Sequence, residues 1–254
     1  MRLSPAEITK MKGSRRISTL TCYDYSFAKQ LDGIVDIILV GDSLGNVVLG
    51  LDSTQGVTIN DMLRHTEAVS RGVSRSMVVS DLSYKSYKTT RQAVANAKKL
   101  LHAGAQAVKP EGRPEIVRAL CKAGIPVMGH VGLLPQTASK WGVTGKDQKT
   151  AREIIALAHE IADAGAFSLV IECVPAVLAK DVTRSVVIPT IGIGAGPHCD
   201  GQVLVLYDML GLFGDFTPKF VNRYAELGQA VKCAVGDYTR DVRSGRFPSK
   251  KHSF

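Results

Sequence analysis

The sequence has no long hydrophobic run, no paired-cysteine motif and few aromatic residues. No segment approaches the roughly 20 apolar residues that a membrane-spanning helix needs, so no membrane protein is expected. The five cysteines (Cys22, Cys121, Cys173, Cys199, Cys233) are odd in number and none stands in a C-x-x-C pair. Thiolate metal sites and disulfide frameworks are therefore poor readings, and reduced thiols in a cytosol fit better. Met1 to Glu7 lack an apolar signal core and read instead as a helix start, with Ser4 as N-cap, Pro5 at the first position and Glu7 completing a capping box. A cytoplasmic protein is expected. The net charge is +9, yet no RNA-binding signature or aromatic-interleaved basic stripe accompanies it, so no nucleic-acid partner is expected. A basic surface would also draw in an anionic substrate.

What the chain has is strand and helix in alternation. Val35 to Val40 is a mostly β-branched apolar run, as in a strand buried on both faces, and it stops on Gly41-Asp42-Ser43-Leu44-Gly45. A carboxylate and a hydroxyl at the end of a buried strand must face something polar. The pattern recurs. Ile17–Cys22, Ser76–Asp81, Gln106–Glu111, Pro126–His130, Ser168–Cys173 and Pro189–Gly196 read as further strands, with Gln202–Asp208 as a possible eighth. Helical spacing lies between them: Ile59, Met62, Leu63, Thr66 and Val69; Val94, Ala97, Leu100 and Leu101; Ile116, Val117 and Leu120; Ile154, Leu157, Ala158 and Ile161. Gly33, Gly104, Gly124 and Gly165 sit at helix-to-strand junctions, where glycine accepts the left-handed turn that ends a helix. Gly132–Thr150 reads as a long loop, and Pro197–Gly201 is too short for a helix between strands seven and eight. This alternation over 254 residues predicts an α/β fold, a single (β/α)8 barrel domain over 1–254 with an N-terminal helix. A doubly wound open sheet is the alternative.

In such a barrel the C-terminal strand ends meet at one face, which carries the active site. Asp24, Asp42 with Ser43, Asp81, Lys109 with Glu111, His130 and Glu172 would gather there. Asp42, Asp81, Glu111 and Glu172 in one mouth would repel one another and raise one another's pKa values. A divalent cation resolves the repulsion, and all-oxygen ligands favour Mg2+. One such Asp is ordinarily a strand-end cap. Four carboxylates with a lysine and a histidine favour a site. Gly192–Gly196 lacks the spacing of a dinucleotide fingerprint and reads as a tight turn rather than a phosphate cradle.

The motifs then resemble a known family. Tyr23-Asp24-Tyr25-Ser26, Val40 to Gly45, Lys109-Pro110-Glu111-Gly112, Gly129 to Gln136, Glu172-Cys173-Val174-Pro175, Ile191 to Gly196, Asp200-Gly201-Gln202 and His252-Ser253-Phe254 stand in the order found in the ketopantoate hydroxymethyltransferases. The resemblance implies a TIM barrel of the phosphoenolpyruvate mutase/isocitrate lyase type. It implies transfer of a hydroxymethyl unit from 5,10-methylenetetrahydrofolate to 3-methyl-2-oxobutanoate, giving 2-dehydropantoate for pantothenate synthesis. By the family pattern Asp42, Asp81 and Glu111 surround Mg2+, while Asp42, Ser43, Asp81, Lys109 and the pocket residue His130 meet the oxo acid. Glu172 is the proton acceptor, and the assembly is a homo-oligomer, often a decamer. The chain departs from the pattern at Pro110, which removes a backbone N–H beside Lys109 and Glu111, and in the segment Lys140–Asp147. The related barrels also include lyases and phosphomutases, but no reactive-cysteine loop of that kind is present. The intact carboxylates and lysine speak against a non-catalytic relative.

Overall fold

The apolar runs and glycine junctions produce the alternation they encode. In chain order the elements are α1 (Pro5–Lys10), β1 (Ile17–Thr21), α2 (Tyr25–Leu31), β2 (Ile37–Val40), α3 (Leu44–Val47), α4 (Ile59–Gly72), β3 (Met77–Asp81), α5 (Thr90–His102), β4 (Ala107–Lys109), α6 (Pro114–Lys122), β5 (Met128–Gly132), α7 (Gln148–Asp163), β6 (Ser168–Glu172), α8 (Ala176–Ser185), β7 (Thr190–Ile193), β8 (Gly201–Leu204), α9 (Leu206–Met209) and α10 (Leu227–Arg243). The structure is a computed structural model and describes residues 1–214 and 217–254. The chain divides into two compact units, Met1–Val205 and Leu206–Phe254. Among the described residues no helix is long and apolar enough to cross a membrane.

The first unit holds all eight strands in one sheet, in the order β4-β3-β2-β1-β8-β7-β6-β5. Every pairing between neighbours is parallel. The two ends of that order meet through a single parallel bridge, Val108 to Val127, with Val108 N–H donating to Pro126 O at 3.1 Å. The sheet is thus a nearly closed eight-stranded barrel, and the open-sheet alternative is set aside. Its floor is plugged by α1. Ile8 of that helix and Met11, its C-cap, are buried with Phe167 and with inward strand residues such as Ile17, Ile37 and Met77. The Ser4–Glu7 capping box forms as expected, with Ser4 N–H donating to Glu7 Oε2 at 2.8 Å. The Thr58–Asp61 box starts α4 in the same way.

The helices bury the faces their spacing marks, with small shifts. In α4 Met62, Thr66 and Val69 are buried, and in α6 Ile116, Val117 and Leu120. In α5 the buried face is Ala93, Asn96, Ala97 and Leu100, so Val94 and Leu101 lie at its margin. The polar Asn96 is accommodated because its amide donates to Ser86 O at 2.7 Å. Helix α7 begins at Gln148, earlier than expected, because Asp147 caps it by accepting from Lys149 and Thr150 N–H. The expected loop therefore ends there. The junction glycines all hold positive φ: 77° at Gly33, 104° at Gly104, 74° at Gly124 and 103° at Gly165.

Three strands differ from expectation in ways that matter. Strand β5 is Met128–Gly132, two residues beyond the expected start, because Pro126 and Val127 serve the bridge that closes the barrel. His130 therefore sits at the middle of β5 and not at its end. Strand β4 stops at Lys109, so Pro110 falls just past the ladder and costs it no hydrogen bond. The eighth strand ends at Leu204, and Leu206–Met209 is helical.

The second unit contains α9 and α10. Helix α10 was not anticipated from the sequence. It has no buried residue, and Val231, Val235, Tyr238 and Val242 recur on one exposed face. Phe247 stacks edge-on to Tyr238, with ring centroids 5.7 Å apart.

Candidate active site

Inside the barrel each of four strands turns from apolar to ionisable within two residues. Successive inward side chains on a strand are spaced by two. Val79, Ala107, Met128 and Val170 lie in the apolar core, and Asp81, Lys109, His130 and Glu172 follow at that spacing. Asp42 and Ser43 enter from the turn after β2, and Glu111 from the segment after β4. Gly41 keeps that turn narrow, since a Cβ there would stand 2.9 Å from Ser43 Oγ.

All seven residues line one cavity of about 110 Å3, along with Asn46, Thr54, Pro135, Trp141 and apolar side chains below. Trp141 is the only tryptophan of the chain and stays 66% exposed at this cavity. Asp24, also expected at this face, caps α2 by accepting from Phe27 N–H at 2.9 Å and does not line the cavity. Gly192 and Ile193 end β7, and the chain turns after them, with positive φ at Gly194 and Gly196. The five cysteines are unpaired, as expected.

The electrostatics are those of crowded acids. Lys109 Nζ lies 2.9 Å from Asp81 Oδ1, and Asp42 N–H donates to Asp81 Oδ2 at 3.0 Å. Burial alone would lower the Lys109 pKa, but Asp81, Glu111 and Asp42 raise it above the ordinary value. The ammonium is therefore permanently charged. Burial pushes the carboxyls of Asp42 and Glu111 up, Asp42 further beside Asp81 and Glu111 further beside Asp42. Glu172 is raised to about 8, mainly by burial, with Lys109 pulling it back. His130 is held well below its usual value by burial and by Lys109, so its ring is neutral. Its Nε2 lies 3.2 Å from Glu172 Oε2, and its Nδ1 lies 3.9 Å from Glu111 Oε1. Neither nitrogen has an aligned hydrogen-bond partner among the described residues. Exchange of a proton between such a ring and a neighbouring carboxyl leaves the net charge of the site unchanged.

Two further residues reach this cluster without having been singled out. Gln136 Nε2 donates to Asp42 Oδ2 at 2.7 Å, and Tyr87 Oη donates to Gln136 Oε1. Gln136 stands within a motif of the resemblance, but nothing in the sequence places it against Asp42. Tyr87 carries no signal at all.

The sequence matches the family model of ketopantoate hydroxymethyltransferase over residues 2–250. It is 53% identical, over 253 residues, to the 3-methyl-2-oxobutanoate hydroxymethyltransferase of Caldicellulosiruptor saccharolyticus, and the match covers 96% of each chain. Among solved structures it resembles 2,3-dimethylmalate lyase, a phosphoenolpyruvate mutase/isocitrate lyase superfamily member, with a TM-score of 0.60 at 17% identity over 98% of this chain and 91% of that one. It also resembles phosphonopyruvate hydrolase in complex with oxalate and Mg2+, with a TM-score of 0.62 at 14% identity over 98% and 93%. The structural likenesses establish the barrel type. A match across almost the whole chain, on a barrel of that type, makes this protein a member of the ketopantoate hydroxymethyltransferase family.

Proposed function

We propose that this protein transfers a hydroxymethyl group from 5,10-methylenetetrahydrofolate to 3-methyl-2-oxobutanoate, giving 2-dehydropantoate, with Mg2+ in the site and Glu172 as the base. The observation that carries this reading is the convergence of Glu172, Lys109 and three further carboxylates in one small cavity. At about 110 Å3 it is smaller than the roughly 300–1,000 Å3 of pockets for drug-sized ligands, and it suits a short oxo acid. The folate would then lie outside, towards Trp141.

The donor set fits a divalent cation. Asp42, Asp81, Glu111 and Glu172 face one ammonium, so together they carry an unbalanced negative charge when ionised. Among the described residues no three His, Cys, Asp or Glu side chains stand close enough to cage an ion unaided. That suits Mg2+, which keeps several waters and binds through one or two carboxylates plus substrate oxygens. Asp42, Asp81 and Glu111 would hold it. When bound it supplies Lewis acidity to the oxygens of the oxo acid.

The chain's own residues do the rest. Glu172 removes the proton from C3 of the oxo acid, a task its raised pKa suits. Lys109, buried and charged, offsets the negative charge that the lost proton leaves. Ser43, whose hydroxyl is 2.9 Å from Tyr23 Oη, and Asp42 orient the acid. His130 lies beside Glu172, with Nε2 3.2 Å from Oε2, and would meet the oxo acid at the same wall of the cavity. The proposed setting is the cytoplasm, and the proposed assembly is a homo-oligomer, a decamer by the family's pattern. The uncovered apolar stripe on α10 supports assembly.

The test is oxo-acid-dependent turnover of 5,10-methylenetetrahydrofolate, with Mg2+ and with EDTA, beside Glu172→Gln. Metal-dependent turnover lost in the variant supports reaction, cation and base together. No turnover with any divalent metal, in folded protein, overturns the reading.

A further inference from the structure

Gln136 is the most completely bonded side chain near the site, and nothing in the family reading assigns it a role. It is 1% exposed. Its backbone N–H donates to Glu111 Oε2 at 3.0 Å, and its carbonyl accepts from Gln55 Nε2 at 3.0 Å. Its side-chain amide donates to Asp42 Oδ2 at 2.7 Å and to Leu82 O at 2.9 Å. Its Oε1 accepts from Tyr87 Oη, which itself accepts from Glu111 N–H at 3.3 Å. The amide cannot be turned over. A flipped amide would set its oxygen against two acceptors, Asp42 Oδ2 and Leu82 O.

We propose that Gln136, locked by Tyr87, is a positioning residue of the metal site that holds the Asp42 and Glu111 carboxylates in place for the cation. The inference rests on the reading of those two acids as metal ligands. One residue contacts one oxygen of each acid, from its side chain and from its backbone, and leaves Asp42 Oδ1 and Glu111 Oε1 outside these bonds. Residue type matters here. A lysine or arginine would neutralise Asp42 and compete with the cation, and a glutamate would add a fifth acid. A neutral amide fixes a carboxylate and leaves its charge available. Outer partners of ligating carboxylates tune a metal site in this way, and their loss typically costs about 10–100-fold in affinity or activity. The same residue opens the loop that leads to Trp141, and that loop returns to the base, since Thr144 N–H donates to Cys173 O at 2.9 Å. The clamp thus ties the metal acids to the covering segment of the cavity.

The test is the affinity of the protein for Mg2+ in the presence of saturating 3-methyl-2-oxobutanoate, by isothermal titration calorimetry, with thermal melts alongside. Gln136→Leu should weaken Mg2+ binding about 10–100-fold, and Tyr87→Phe by a smaller factor. The double variant should lose little beyond Gln136→Leu, because Tyr87 acts through the glutamine. Turnover of Gln136→Leu should recover at high Mg2+ with the folate KM unchanged, which a loosened fold would not produce. If Gln136→Leu does not fold, Tyr87→Phe alone decides, since it removes one hydroxyl and keeps the ring. Wild type binding Mg2+ with both variants within about twofold of it overturns the inference and leaves the metal reading standing. Wild type that binds no Mg2+ overturns both.

Discussion

The floor and the roof of the barrel interior are built from the same strands and obey opposite rules. At the floor, the apolar side chains of Val79, Ala107, Met128 and Val170 are buried with Ile8 of α1 and its C-cap Met11. Two residues further along each strand, Asp81, Lys109 and His130 are nearly as deeply placed, Glu172 is somewhat more open, and all four carry or share charge. The floor gains free energy from burial, at about 25 cal/mol per Å2 of apolar surface. The roof loses it, because burial raises the pKa of Asp42, Glu111 and Glu172 and lowers that of His130. A cost of this kind persists where it serves chemistry. The fold is held from below and works from above.

The sharpest way to test that division is to remove one roof acid and one floor hydrophobe. Glu172→Gln keeps the shape and removes the proposed base. Turnover should fall about 100- to 10,000-fold, the usual worth of a general base. The folded state should be no less stable than wild type, because a buried acid has gone. Denaturant melts beside steady-state rates check both halves. A variant that is destabilised while keeping its rate would reverse the assignment.

The converse is Val170→Asp, one step down the same strand. It places a fifth carboxyl at the base of the cavity, where Val170 is 3% exposed among apolar neighbours and the lining lysine already faces four acids. An unpaired buried carboxyl costs several kcal/mol, of the order of the whole stability of a domain. The variant should be largely unfolded by circular dichroism at neutral pH. A folded and active Val170→Asp would mean that the two layers are not separate environments.

Much of this layering was legible. The i, i+2 step from apolar to ionisable stands in the sequence as Val79-Ser80-Asp81, Ala107-Val108-Lys109 and Val170-Ile171-Glu172. Strand-end polar residues and helical spacing together point to the barrel and to seven of the residues that line the cavity. His130 was reached for a partly mistaken reason, as a strand end, because the closing bridge at Val127 shifts β5 by two residues and no local pattern reports a closure between distant strands. Gln136 and Tyr87 were not legible as site residues, because their meaning lies in hydrogen bonds across separations of 94 and 49 residues. Helix α10 was missed although Val231, Val235, Tyr238 and Val242 are spaced for a helix. Its apolar face is exposed rather than buried, which the usual equation of apolar with core does not anticipate.

A smaller effect separates the layers by pH. The rate of the wild-type enzyme should rise with pH along a limb set by Glu172. That limb should lie above the ordinary 4.5 of a glutamate and no higher than about 8, since a bound cation favours the ionised form. The profile of kcat/KM against pH locates it. A limb at the ordinary glutamate value would mean that the roof does not hold its acid protonated.

The smallest effect is on stability, and it separates the roof from the floor by melting alone. In metal-free protein Glu172 binds its proton more tightly folded, at about 8, than unfolded, near 4.5. Between those values the unfolded chain ionises first, so raising the pH favours unfolding. Below about 4.5 both states are protonated and nothing is lost; above about 8 the loss is complete. Glu172→Gln has no such proton. Its melting temperature should match wild type near pH 4.5 and exceed it by a growing margin towards pH 8. Mg2+ should narrow the gap by favouring the ionised wild-type acid. Val79→Ala, a floor variant, should lower the melting temperature by the same amount at every pH, because apolar burial has no proton to release. Parallel melting curves for Glu172→Gln and wild type across that range would mean that the carboxyl is solvated when folded, and the contrast between roof and floor would be lost.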